Sequence, residues 1–132
     1  MKRLLGFATA ILIIVLLLII NYGINKRSEH IYLIPNDYIG EVQIVYNQAD
    51  GEHIQRNKRK LVFLIPQDGL LRISNNEPEY GWADVNYFYV NSSGEIIREL
   101  FVGKEIINTR LSKSSTSDSH SYLFTVVSDD GH

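Results

Sequence analysis

Leu4 to Ile20, LLGFATAILIIVLLLII, is seventeen residues without a charge, its only hydroxyl is Thr9, and Met1, Lys2 and Arg3 precede it at once. A helix over this run is about 25 Å long at 1.5 Å per residue, and no polar face makes it amphipathic. It reads as an uncleaved transmembrane signal anchor over residues 1–24, with Tyr22 at the headgroup level that aromatic rings favour. A cleaved signal peptide has a shorter apolar region and a small-x-small site, whereas Asn21-Tyr22-Gly23-Ile24-Asn25 comes next here. A lipoprotein signal needs a cysteine, and the chain contains none. Lys2 and Arg3 favour a cytoplasmic N-terminus, although Lys26 and Arg27 beyond the run weaken the asymmetry. The expectation is a single-pass membrane protein that meets the lipid bilayer through residues 4–24, with its C-terminal part extracytoplasmic.

The chain beyond the anchor is long enough for one domain. The first 27 residues hold four of the 13 Lys and Arg and none of the 15 Asp and Glu, so the rest is nine basic against fifteen acidic, a net of −6. That balance argues against nucleic acid as a partner, since it would need a basic surface. Without cysteine there is no disulfide framework and no thiolate metal site.

Beyond a spacer at 25–29 the chain alternates apolar and polar residues in short runs separated by Gly, Pro and Asn turns. His30 to Pro35 is a β-rich run that Pro35 must end or place at an edge. In Ile39 to Tyr46, Val42, Ile44 and Tyr46 share one face, and Glu41, Gln43 and Val45 the other. Further strands fall at Leu61 to Ile65, Gly69 to Ser74, Asp84 to Val90, Glu95 to Val102 and Tyr122 to Val127. Gly103 to Leu111 is of uncertain type, and Ser112 to Ser121 is a serine-rich stretch read as a mobile loop. The pattern predicts a mainly β chain: the helix, then a small antiparallel β-sandwich of about seven strands, Ig-like or prealbumin-like, over 30–128, with a frayed tail at 129–132. Leu33-Ile34-Pro35-Asn36-Asp37 and Leu64-Ile65-Pro66-Gln67-Asp68 share the form Leu-Ile-Pro-x-Asp thirty-one residues apart. The match extends no further, so it reads as one strand-to-turn geometry used twice rather than a duplication.

Ile34-Pro35-x-x-Tyr38-x-Gly40-x-Val42, Ile65-Pro66-x-x-Gly69-x-Leu71, and Gly81-Trp82 with Tyr87-Phe88-Tyr89 after it carry a resemblance. Over roughly Tyr32 to Leu100 the chain resembles an uncharacterised family of small exported or membrane-anchored proteins from Bacillus-like bacteria, carried as a domain of unknown function. The tail after Val102 departs from it. The resemblance implies a Gram-positive, extracytoplasmic setting and supplies no catalytic residue.

Direct signs of chemistry are few. There is no Gly-x-Ser-x-Gly, no Gly-rich phosphate loop and no His-x-x-x-His, and His30, His53, His120 and His132 are scattered. Asp50, Glu52 and His53 are the best metal candidate, set against the simpler reading of a solvated turn. Glu77 with Glu79, and Asp129 with Asp130, are paired acids that glycoside chemistry would need across a cleft, but they lie on a loop and a tail. No catalytic residue, metal site or cofactor is assigned.

Two features point to binding. Tyr80, Trp82, Tyr87, Phe88 and Tyr89 include one aromatic set that a one-sided sheet must leave partly exposed. With Tyr87 and Tyr89 outside and Trp82 near them, they would form a stacking platform, whereas the alternative is core packing. Arg56, Lys58, Arg59 and Lys60 put four cations within five residues of an acidic domain. Such a block protects a sheet edge or meets an anionic partner, either lipid headgroups or a phosphate-bearing cell-wall polymer. The functional expectation is a non-enzymatic binding or assembly module at the bacterial envelope, whose partner is cell-wall polymer or another envelope protein. The alternatives are a wall-modifying or peptide-processing enzyme whose site forms only in the fold, and a small membrane accessory or immunity-type protein.

Overall fold

The computed structural model describes residues 2–25, 28–78, 84–116 and 119–128, with helix side chains from Gly6 to Ile19. One helix, α1 (Lys2–Asn25), precedes eight strands: β1 (Glu29–Pro35), β2 (Gly40–Val45), β3 (Lys60–Leu64), β4 (Leu70–Arg72), β5 (Val85–Val90), β6 (Ile96–Leu100), β7 (Ile106–Lys113) and β8 (His120–Val126).

The structure does not bear out the membrane anchor expected over residues 1–24, with its apolar run at Leu4–Ile20. Among the described residues no helix is long and apolar enough to cross a membrane. The single-pass topology that rested on that span is therefore not supported.

The strands form two four-stranded sheets, in the orders β3-β1-β5-β6 and β4-β2-β8-β7. Both are mixed, which corrects the antiparallel, Ig-like or prealbumin-like sandwich of about seven strands. β1 runs parallel to β3 and β5, and β2 parallel to β4, while the β5/β6, β2/β8 and β7/β8 pairs are antiparallel. The cause lies at the prolines. Pro35 cannot donate to a ladder, Tyr38 N–H returns to the Pro35 carbonyl at 3.0 Å, and Asp37 takes a left-handed φ of 65°. The chain thereby leaves the first sheet and enters the second as β2 instead of folding back beside β1. Pro66 repeats the move into β4, with Gly69 N–H bonded to its carbonyl at 3.0 Å and Gly69 at φ 78°. Two strand-turn-strand arches thus lie side by side in the same direction, with Leu33 in register with Leu64. The Leu-Ile-Pro-x-Asp repeat is this geometry.

Parallel register aligns like with like across the sheet. On the inner face Tyr32 is opposite both Phe63 and Tyr87, and its ring stacks on theirs at 4.9 and 5.1 Å. The second sheet closes on this ladder through Tyr122, 5.3 Å from Tyr32, and Phe124, 5.0 Å from Tyr87. Val42 and Ile44 are buried on one face of β2, and Tyr46 is buried just beyond its end, as their alternation required. The arches also interlock. The Tyr38 ring lies across Gly69, its hydroxyl donates to the Glu41 carbonyl at 2.5 Å, and Gln43 N–H reaches the Gly69 carbonyl at 2.8 Å.

At the far edge Glu105 is buried, accepting from Phe101 N–H at 2.8 Å and from Arg98 at 3.2 Å. Burial pushes its carboxyl upward, but those donors and its own backbone amide outweigh burial and hold it below the ordinary carboxylate value. β7 comes next, and it occupies most of the stretch of uncertain type. Together β7 and β8 take Ser112, Lys113, His120 and Ser121 out of the serine-rich loop, pairing Ser112 with Ser121. The expected tail at 129–132 lies outside the described residues.

A side chain at Gly69 would meet the Tyr38 ring and the Glu41 carbonyl, the latter at 2.7 Å, whereas one at Gly94, also left-handed at φ 82°, would meet nothing within 4 Å. Gly94→Ala should cost only the backbone share, about 1 kcal/mol. Gly69→Ala should cost about 2–4 kcal/mol in urea unfolding, because overpacking adds to it. Equal costs would mean that the arches are not interlocked there.

Candidate functional site

The cationic block is built on a two-residue hairpin. Asn57 and Lys60 exchange two backbone hydrogen bonds of 2.9 Å, and the two residues between them, Lys58 and Arg59, both have left-handed backbones, φ 51° and 62°. This is the geometry of a type I′ turn, which favours Asn-Gly because each position needs φ above zero. A residue with a Cβ costs roughly 1–2 kcal/mol there. Neighbouring structure holds the turn in place: Glu29 N–H donates to the Arg59 carbonyl at 2.8 Å, and the Glu29 carboxylate lies 4.0 Å from the Lys60 ammonium. The cations therefore sit where β1 begins, at the opposite end of the sandwich from the proline arches. Arg56, Lys58, Arg59 and Lys60 are all exposed.

The loop that delivers the turn is pinned from behind. Ile54 is buried, and its N–H and carbonyl are both held by the Asn75 side chain, at 2.9 and 3.0 Å. Gly51 packs so closely on the Ile73 backbone that a Cβ would come within 2.7 Å of it. Between loop and sheet lies a cavity of about 490 Å³, with Tyr46, Leu61 and Phe63 as its apolar wall and His53, Arg56 and Glu77 among its polar lining. His53 does not join Asp50 and Glu52 in a metal site: Asp50 is turned to Arg72 at 2.8 Å. Among the described residues no group of three or more ligands could hold a metal ion.

The aromatic set divides differently from the platform reading. Tyr87 and Tyr89 are buried, at 2% and 4% exposure, so they are core residues and not a surface for stacking. The Tyr87 and Tyr122 hydroxyls bond to each other, the Tyr89 hydroxyl donates to the Tyr38 carbonyl at 2.7 Å, and the Arg98 guanidinium lies 5.1 Å from the Tyr89 ring centre. Burial pushes the Tyr89 hydroxyl's pKa up, partly opposed by Arg98. Phe88, half-buried, faces outward instead. Tyr80 and Trp82 lie outside the described residues, as does Glu79, the partner expected for Glu77. Sequence reasoning missed the strain in the turn, because Lys-Arg is not a turn signature, and missed the outward row that includes Phe88.

The model of the family of unknown function DUF6843 matches residues 26–129, most of the chain. The chain belongs to this family. Among solved structures it is similar to a candidate lipoprotein from Bacillus anthracis, with a TM-score of 0.66 and 21% identity over 81% of this chain and 74% of that one. At that identity the likeness shows a shared fold. No curated protein matches. The first two motifs that carry the sequence resemblance have structural explanations, Ile34, Val42, Ile65 and Leu71 being core while Tyr38, Gly40 and Gly69 form the arches, and Gly81-Trp82 of the third lies outside the described residues.

If the turn is strained by its two cations, Lys58→Asn with Arg59→Gly should stabilise the domain by about 1–2 kcal/mol in chemical denaturation. A destabilised double variant would show that these side chains hold the fold.

Proposed function

We propose that this family member is a non-enzymatic binding module of the bacterial envelope, acting outside the cytoplasm and meeting a phosphate-bearing anionic partner through the Arg56–Lys60 block. The observation that carries the reading is the Lys58-Arg59 turn. It puts two cations where a neutral Asn-Gly pair would be more stable, and strain kept at an exposed charged position is a mark of function. The surroundings sharpen the contrast, since the part of the chain after residue 27 has a net charge of −6 and these cations form its densest basic segment. Family membership and the fold shared with a candidate lipoprotein support an envelope setting.

The chemistry asked of the site is point-charge attraction to phosphodiesters, in which each cation contributes about 1 kcal/mol near an anionic surface and salt screens the contact. Removing two of them should weaken binding of soluble polyglycerol phosphate to the full chain by roughly 30-fold at low salt. Calorimetric titration of Lys58→Asn/Arg59→Gly, which should keep or gain stability, measures this. Affinity equal to that of the unmodified chain would overturn the proposal.

A further inference from the structure

The cationic turn opens directly onto an apolar face. Lys60, Val62 and Leu64 alternate outward along β3 while Leu61 and Phe63 point into the core. Parallel register carries the outward residues across the sheet, so that Leu64 lies beside Leu33 and Leu33 beside Phe88, with Val62 beside Ile31 in the row before. Val62 and Leu64 are 44% and 58% exposed, unusual for aliphatic side chains lying next to one another on a sheet. Acidic groups on this face are peripheral: Glu29 is engaged by Lys60 and by the Asn86 amide at 2.9 Å, and Glu99 lies beyond Phe88 on the neighbouring strand β6.

We infer that this outer face of the first sheet seats on an anionic lipid bilayer, with Leu64, Leu33 and Phe88 at the boundary between headgroups and acyl chains and the Lys58–Lys60 turn on the phosphates. The inference rests on the proposed anionic contact and names its source. A wall polymer would satisfy the cations alone and leave the adjoining apolar rows in water. An anionic bilayer offers negative charge and, a few ångströms below, an apolar phase, which matches cations at one end of an apolar face.

A local probe separates this face from the exposed apolar side chains of α1. The chain has no cysteine, so Leu64→Cys carries a single polarity-sensitive dye, and Thr109→Cys, exposed on β7 of the other sheet, is the control. With the full chain on phosphatidylglycerol vesicles, the emission at position 64 should shift to the blue, and the control should not. Phosphatidylcholine vesicles should give a smaller shift, and Lys58→Asn/Arg59→Gly should reduce the shift on phosphatidylglycerol. No shift at 64, an equal shift at 109, or a shift at 64 that grows with protein concentration without vesicles would each overturn the lipid assignment. If it fails while polyglycerol phosphate binding still depends on Lys58 and Arg59, the anionic contact stands and its source is the polymer. If that dependence is also absent, both fall.

Discussion

The fold depends on one constraint, the in-register parallel alignment of β3, β1 and β5. It sets Phe63, Tyr32 and Tyr87 side by side at about the spacing of neighbouring strands, so three large rings stack in one continuous ladder. Each such ring buries a large apolar area and gains from offset stacking. The same register has a second consequence one residue further along each strand. It aligns Leu64, Leu33 and Phe88 on the outside, so the order that builds the core also builds the apolar face.

Parallel neighbours cannot be joined by a tight hairpin, and the proline arches supply the longer route. Each arch carries the chain to the other sheet, and the return places the next strand alongside the first in the same direction. The loop that makes one of these returns ends at the beginning of β3, so its last turn is held by the same ladder. This explains how a left-handed Lys-Arg pair persists: Glu29 and the Asn57/Lys60 rung fix the backbone around it. A rigid frame can carry a strained charged turn that an isolated hairpin would not keep.

Much of this was legible from residues. Alternation identifies the buried face of β2, and the Leu-Ile-Pro-x-Asp repeat reads as one geometry used twice, which the arches are. What alternation cannot supply is the neighbour: it assigns a side chain to a face but does not say which strand lies next to it or in which direction. Hence the parallel pairs were missed. β7 was missed because its residues from Asn108 to Lys113 are exposed, leaving no apolar period to detect. For β5 each face carries aromatic and apolar residues, Val85, Tyr87 and Tyr89 on one and Phe88 and Val90 with Asn86 on the other, so alternation alone does not say which aromatics are buried; the ladder places the tyrosines inside. The membrane reading of the N-terminal run rested on length and hydropathy alone. The cationic block was visible as composition, but its left-handed backbone arises from long-range contacts with β1.

The most direct test of the central claim, that a strained cationic turn on a rigid arch frame is the binding site, is amide chemical-shift mapping of the full chain during titration with polyglycerol phosphate. The account predicts changes centred on Arg56 to Lys60 and on Glu29, whose N–H is bonded to Arg59, with the arch amides of Gln43 and Ile65 unmoved. Changes centred on the arches or on the β7/β8 hairpin, with Asn57 to Lys60 unmoved, would contradict it.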